Sequence, residues 1–179
     1  MNLFATFPVD EVTVHDIAGA VGMTPAAVYY HFASKEQILV EGLTRFTDEL
    51  LDEVRAGIPA KGDTAGIARL ITDLAGWARR NRSFATVYFV NSVGLNPHVE
   101  ARRRSTRIEL IELLQQAARN VHGRLRPAQA AVMAVALVSL LETAIAANLS
   151  QDQVYKGLGA KRFSTEVEML ANRIAGIAA

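Results

Sequence analysis

The sequence predicts an all-α fold, and three observations support this prediction. Apolar residues recur at helical spacing along most of the chain, and the only strand-like run is the short segment from Tyr88 to Val90. Leucine, alanine, glutamate and arginine, which favour helices, dominate the composition. Glycine, proline and hydroxyl residues stand where the helical patterns begin or end. With 179 residues, the chain is long enough to bury a substantial core.

The stretch from Thr13 to Glu36 predicts two short helices joined by a tight turn. The hydroxyl of Thr13 can cap the first helix by accepting a backbone N–H bond. Gly22 then permits the left-handed backbone of a turn. Thr24 and Pro25 open the second helix, with a hydroxyl cap and a proline whose missing N–H is not needed there. This arrangement is typical of a helix-turn-helix unit, which places its second helix in the DNA major groove.

The same signals predict helices along the rest of the chain, and the segment of residues 150–163 between the last two is predicted to be a loose connection. We place the boundary between two domains inside the helix that begins at Ser34. Residues 1–46 would then form the helix-turn-helix DNA-binding domain, and residues 47–179 a larger helical ligand-binding and dimerisation domain. In chain order, the predicted helices are Val14–Val21, Thr24–His31, Ser34–Gly57, Asp63–Asn81, Ser83–Val93, Pro97–His122, Pro127–Asn148 and Ser164–Ala178.

Residues 12–39 resemble the DNA-binding domain of the tetracycline-repressor-like (TetR) family of transcriptional regulators. The resemblance covers the first quarter of the chain, and beyond about Glu53 it is one of architecture only. It implies a ligand-responsive DNA-binding regulator, most often a repressor, whose partners are a double-stranded DNA operator and a second copy of the chain. The residues in register with the family pattern are Thr13, Val14, Ile17, Ala18, Gly22, Thr24, Val28, Tyr29, Phe32, Ser34, Lys35, Glu36 and Leu39.

The resemblance also implies which residues would contact DNA. The first residues of the second helix would approach base edges, and the aromatic residues at its end would contact phosphates or a thymine methyl group. Lys35 and the helix N-terminus at Thr13 would add phosphate contacts. Packing in a small core is the alternative, which we prefer for Val28 and Phe32 but not for Tyr30 and Lys35. The predicted DNA-contacting residues are Thr13, Thr24, Pro25, Ala26, Tyr29, Tyr30, His31 and Lys35.

Charge and the start of the chain argue against simple DNA binding. Residues 1–45 contain two basic and five acidic residues, a formal charge of −3, whereas DNA-binding domains normally present a basic surface. Of the family's full first helix only Leu3 to Ala5 remain, and Pro8 stands where the family usually has glycine. We hypothesise a misplaced start at Met1 or a shortened variant. The alternative function is a helical dimeric ligand-binding or interaction protein that has lost DNA binding through this truncation.

Long apolar stripes on the helices from Pro127 and Ser164 predict a homodimer formed by these last two helices, as in the family, which suits palindromic operators. Aromatic residues, methionine and isolated polar groups on the body helices predict a pocket for a small, largely apolar ligand. Core packing is the alternative for each of them, although Asn91 and Glu142 would need polar partners if buried. The nearby basic run from Arg102 to Arg107 is predicted to be a solvated face. The candidate ligand-binding residues are Trp77, Phe84, Tyr88, Phe89, Asn91, His98, Met133 and Glu142.

Several classes of protein are disfavoured by the composition. Cysteine is absent, which excludes disulfides and thiolate metal sites and is compatible with a cytoplasmic location. The four histidines show no metal-binding spacing, so we predict neither a metal site, a cofactor nor an enzyme. No uncharged apolar run reaches the ~20 residues of a membrane span. The longest apolar stretch, residues 128–147, is predicted to be a buried or interface helix, and no secretory signal is recognised.

Overall fold

The computed structural model describes residues 1–92, 94 and 97–176, and all regular structure in these ranges is helical, which confirms the all-α prediction. A short π-helical turn, Val87–Asn91, interrupts the α-helical series. The α-helices are α1 Asn2–Thr6, α2 Val14–Ala20, α3 Pro25–His31, α4 Lys35–Gly57, α5 Gly66–Arg80, α6 Arg82–Thr86, α7 Pro97–His122, α8 Pro127–Ser150, α9 Gln153–Leu158 and α10 Ala160–Ile174.

The predicted N-caps of the first helices are present. The hydroxyls of Thr13, Thr24 and Ser34 each accept a bond from the backbone N–H three residues later, at 3.2, 3.2 and 3.3 Å. Gly22 has a φ of +68°, the left-handed conformation that the sequence predicts for the turn after α2. Pro25 occupies the first turn of α3, where its missing N–H leaves no helical bond unmade. The helix-turn-helix geometry therefore follows from local sequence signals.

One continuous apolar core joins the N-terminal helices to the rest of the chain. Phe4 of α1 and Ala171 of α10 belong to the same cluster of buried side chains. Helix α4 runs through it, with Leu39 buried near its start and Val54 buried near its end. Around α4, helix α7 packs against both α4 and α8, while α10 packs against α5 and α8. The division at residues 46 and 47 falls in the middle of α4 and stays a prediction.

The sequence predicts a loose connection over residues 150–163, and this prediction is wrong. Asp152 caps α9, because its carboxylate accepts a bond from the backbone N–H of Tyr155 at 2.7 Å. The ring of Tyr155 is buried and packs edge-on against Phe163, with 5.2 Å between the ring centroids. An aromatic contact between residues eight positions apart thus orders a segment whose glycines and polar residues favour a loop.

Other helix bounds differ from the predictions by a few residues. Gly159 has a φ of +75° and separates α9 from α10, so the last helix begins at Ala160 rather than Ser164. Its predicted end at Ala178 lies outside the described residues. The helix predicted from Ser83 begins at Arg82 and passes from α-helix into the π-helical turn.

Helix α8 is, by length and composition, the one helix among the described residues that could cross a membrane. Its apolar residues are divided between two faces. Leu137, Leu141 and Ile145 are buried in the core, whereas Val132 and Val135 are exposed. A core helix of a globular protein passes the same test of length and hydropathy, and the buried face of α8 is the arrangement expected of such a helix.

Candidate DNA interface and ligand site

Helix α3 presents its aromatic side chains to solvent. Tyr30 is 85 % exposed and Tyr29 is 56 % exposed, and His31 packs edge-on against the ring of Tyr30 at 5.1 Å between centroids. Val28, on the inward side of the helix, is buried, as predicted. Phe32 is half-buried. The outward aromatic residues contribute little to packing, so the exposed face of α3 is available for contact with another molecule.

The residues at the start of α3 are accessible as well. Thr24 and Ala26 are exposed, and Pro25 is half-buried. Helix α3 contains no acidic residue. Insertion of α3 into a DNA groove would therefore bring no carboxylate of this helix against the phosphates.

At the start of α2, Thr13 and Asp16 form a reciprocal cap. The Thr13 hydroxyl and backbone N–H both donate to the Asp16 carboxylate, at 2.6 and 2.9 Å. These bonds, first the one from the hydroxyl, lower the pKa of Asp16 below its ordinary value. The predicted phosphate contact of Thr13 would have to form beside a carboxylate that already occupies the helix N-terminus.

Lys35 lies at the centre of a hydrogen-bonded clamp. Its ammonium group donates to the backbone carbonyls of Val9 at 2.8 Å, Asp10 at 3.0 Å and Val12 at 2.8 Å. An ammonium has three N–H donors, and this arrangement uses all three. The sequence predicts a phosphate contact for Lys35, but the structure shows it holding the loop between α1 and α2. A phosphate contact would have to replace one of these bonds.

The structure brings four of the predicted ligand residues together around Phe46 of α4. Centroid distances from the Phe46 ring are 5.0 Å to Trp77, 5.6 Å to Tyr88, 6.1 Å to Phe84 and 6.3 Å to Phe89. Sequence reasoning missed Phe46, because its periodic position in a long amphipathic helix looks like ordinary core. Burial raises the pKa of the Tyr88 hydroxyl. These residues form a packed aromatic cluster.

The other predicted ligand residues are dispersed. Asn91 donates from its side-chain amide to the carbonyls of Phe4 at 3.0 Å and Ala5 at 3.4 Å, near the end of α1. His98 is exposed in the first turn of α7, and Met133 is half-buried on α8. Asn91 thus satisfies its amide with the backbone of the N-terminal helix rather than with a ligand.

Glu142 finds its partner on α7. Its carboxylate pairs with the guanidinium of Arg107, which also donates to the Ser139 hydroxyl at 3.0 Å. Both charged side chains are about one-third exposed. The polar group that interrupts the apolar pattern of α8 therefore joins α7 to α8.

The prediction of a solvated face from Arg102 to Arg107 is wrong for three of its four arginines. Of the four, Arg104 is exposed, whereas Arg102, Arg103 and Arg107 are partly buried. The guanidinium of Arg103 donates to the Tyr88 carbonyl and lies 4.8 Å from the centroid of the Tyr88 ring. These arginines point inward because neighbouring helices offer them carbonyl, hydroxyl and carboxylate groups.

Arg102 connects α7 to the middle of α4. It donates to the Thr47 hydroxyl at 2.6 Å and pairs with the carboxylate of Asp48. Thr47 is fully buried, so the guanidinium supplies the partner that its hydroxyl oxygen needs. This contact lies next to Phe46 and therefore links the arginine run to the aromatic cluster.

A cavity of about 120 Å³ lies between α5, α8 and α10. None of the predicted ligand-binding residues lines it. Its lining is mostly small and apolar, and its polar residues are Thr72, Arg79, Ser164 and Asn148, of which Asn148 is 9 % exposed. Sequence reasoning missed this cavity, because alanines on α5 and α8 give no signal until these helices meet α10.

Comparison with known proteins bears on both parts of the chain. Residues 1–41 match the family model described as bacterial regulatory proteins, tetR family. Over 72 residues the chain is 37 % identical to the HTH-type transcriptional repressor KstR2 of Rhodococcus jostii (strain RHA1), a match that covers 40 % of this chain and 35 % of that relative. The matched segment thus spans about a third of the length of the repressor.

Solved structures resemble the chain over nearly its whole length. AmtR of Mycobacterium smegmatis matches 99 % of this chain and 82 % of its own, with a TM-score of 0.68 and 23 % identity. PfmR of Thermus thermophilus, a TetR family transcriptional regulator, matches 99 % of this chain and 92 % of its own, with a TM-score of 0.74 and 20 % identity. At these identities the likeness establishes the fold.

The fold and the exposed α3 define a helix-turn-helix protein with an all-helical body. Within this class, the model of the tetR family of bacterial regulatory proteins matches residues 1–41, which hold α1 to α3 and the start of α4.

Proposed function

We propose that this chain is a DNA-binding transcriptional regulator, acting as a repressor, whose helical body binds a small molecule and thereby changes operator affinity. The observation that carries this proposal is the exposed aromatic face of α3 on a capped helix-turn-helix frame. A short helix with Tyr29 and Tyr30 turned outward is suited to the major groove, where its first residues would reach base edges. We place this activity in the cytoplasm.

The proposal includes a homodimer through α8 and α10, which exposed apolar residues on these helices support. Val132 and Val135 of α8 and Met169 and Leu170 of α10 are large apolar side chains exposed to solvent. A two-fold interface that buries them would present two copies of α3 to a palindromic operator. Their separation must then match one turn of DNA, about 34 Å.

Contacts between the body and the N-terminal helices offer a route for ligand control. Helix α4 extends from the helix-turn-helix unit into the body, and Arg102 holds its middle through Thr47. Asn91 holds the end of α1. A ligand that binds one arrangement of the body more tightly would shift these contacts and change the separation of the two α3 helices.

The proposal is tested with Tyr30→Ala in a gel-shift assay against the DNA upstream of the chain's own gene. Because Tyr30 is almost fully exposed, the substitution should leave the free energy of unfolding within about 0.5 kcal/mol of the parent. Loss of a contact to DNA should weaken binding by about tenfold. Phe7→Ala, which truncates another exposed aromatic residue near the N-terminus, is the matched control and should bind as the parent does.

The alternative is a dimeric ligand-binding or interaction protein without DNA binding, which the charge of −3 in residues 1–45 and the engaged Lys35 favour. Sedimentation of the same samples gives their mass. A dimer that never shifts the upstream DNA would support this alternative. If Tyr30→Ala and its parent bind the DNA with equal affinity, Tyr30 of α3 is not part of the DNA interface as proposed.

A further inference from the structure

The cavity between α5, α8 and α10 has the size and lining of a site for one small ring. Its volume of about 120 Å³ is similar to that of an apolar cavity of roughly 150 Å³ known to hold benzene. Ala75 and Ala78 of α5 and Ala144 of α8 leave the space open, since their side chains end at Cβ. The lining shares no residue with the aromatic cluster around Phe46.

Asn148 is the only buried polar residue of the lining, because Thr72 and Arg79 are exposed and Ser164 is half-buried. Asn148 donates from its amide nitrogen to the hydroxyl of Tyr155 at 2.9 Å. No hydrogen-bond donor reaches its side-chain oxygen among the residues that the structure describes. Exchanging the amide oxygen and nitrogen changes little, because the Tyr155 hydroxyl can accept or donate. In both orientations one polar group of a nearly buried Asn148 is left for a guest.

We propose that this cavity binds a monocyclic aromatic alcohol of the phenol class, with its ring between the alanines and its hydroxyl on Asn148. A hydroxyl group both donates and accepts, so it pairs with either orientation of the amide. Arg79, at the lining of the cavity, is exposed, and its charge is largely solvated. The neutral phenol therefore fits better than an aromatic carboxylate.

This inference deepens the proposed function and rests on it for its consequence. Helices α8 and α10 carry both the cavity and the exposed apolar residues of the proposed dimer interface. A bound ring would fix how α10 packs against α5 and α8. Phenol would then be a representative of the ligand class to which the regulator responds.

Isothermal titration calorimetry with phenol, toluene and benzoate tests the binding itself. The parent protein should bind one phenol per chain, about three- to tenfold more tightly than toluene, which lacks the hydroxyl. Asn148→Leu should lower phenol affinity to that of toluene and leave toluene binding in place. Tyr155→Phe, which keeps the amide, should retain the preference for phenol.

Ala75→Leu fills the cavity and should abolish binding of both compounds, while Ala128→Leu, at an exposed position at the start of α8, should leave both unchanged. Thermal unfolding establishes that each variant is folded. If Ala75→Leu does not fold, Ala144→Val reduces the same space with a smaller side chain. Phenol affinity that neither the cavity-filling variants nor Asn148→Leu alter would overturn the proposal.

Two further outcomes would also overturn it: the absence of saturable phenol binding, and tighter binding of benzoate that is lost in Arg79→Gln. The gel-shift assay separates this inference from the proposed function. Phenol binding without a DNA shift would contradict regulation and leave the cavity site standing. A DNA shift without phenol binding would contradict the cavity site and leave the proposed DNA-binding function standing.

Discussion

The helix-turn-helix unit and the helical body are held together in different ways. Helices α2 and α3 each bury one side chain, Ala18 and Val28, whereas α5 buries nine residues and α8 buries ten. Helices α2 and α3 are held instead by capping hydroxyls, and the Lys35 clamp fixes the loop before α2. Apolar burial therefore stabilises the body, and a few polar contacts fix the orientation of the exposed α3.

The largest effect is expected from Phe46→Ala, which removes the centre of the aromatic cluster. Phe46 is buried and contacts four other aromatic rings, so its loss leaves a cavity in the body. We expect the free energy of unfolding to fall by about 3–5 kcal/mol, measured by urea denaturation. The exposed Phe7→Ala should change it by less than about 0.5 kcal/mol. Equal losses in the free energy of unfolding for the two variants would contradict the claim that the buried aromatic cluster stabilises the body.

A smaller and more local effect is expected from Lys35→Met. This change removes the three bonds to the carbonyls of the loop between α1 and α2, at a cost of about 1–3 kcal/mol. Amide hydrogen exchange should increase from Val9 to His31 and stay unchanged in α5 and α8. Lys61→Met, at an exposed lysine, is the matched control.

The same variant distinguishes a clamp from a phosphate contact. If Lys35 binds phosphate, DNA affinity should show a salt dependence reduced by about one counterion, with unchanged hydrogen exchange in the loop. If it is a clamp, the loop should exchange faster and the salt dependence should stay the same.

The smallest effect is expected from acidification at α2. Hydrogen bonds from Thr13 lower the pKa of Asp16 in the folded protein, so the ionised carboxylate stabilises the folded state. This stabilisation is present above the ordinary aspartate pKa and is lost as pH falls through the lowered value. Protection of α2 amides should therefore decrease below about pH 4. Asp16→Asn should remove this pH dependence, and Asp73→Asn, an exposed aspartate of α5, should preserve it.

The parts of the fold that the sequence predicts correctly are set by residues close to one another in the sequence. Thr13, Gly22 and Thr24 act within a few positions of themselves, so the helix-turn-helix unit could be recognised from their spacing. Tyr155 is ordered by Phe163 and Asn148, and such tertiary contacts cannot be seen in a segment that looks like a loop.

The candidate site was less predictable because its contacts join distant parts of the chain. Arg107 reaches Glu142, which lies 35 residues later, and Arg102 reaches Thr47, 55 residues earlier. A cluster of arginines is usually solvated, and only the packing of α7 against α4 and α8 turns these side chains inward. The same holds for Asn91, whose partner Phe4 is 87 residues away.

The number of residues in the π-helical turn Val87–Asn91 determines whether Asn91 can reach α1. A π-helical turn closes i→i+5 hydrogen bonds, as Ser92 does with Val87, and so holds one residue more than an α-helical turn. Deleting one residue would restore the α-helical repeat and rotate the following position by about 100°. Asn91 would then leave the carbonyls of α1. An insertion or deletion in this segment should therefore separate the body from α1 even if every side chain of the aromatic cluster is kept.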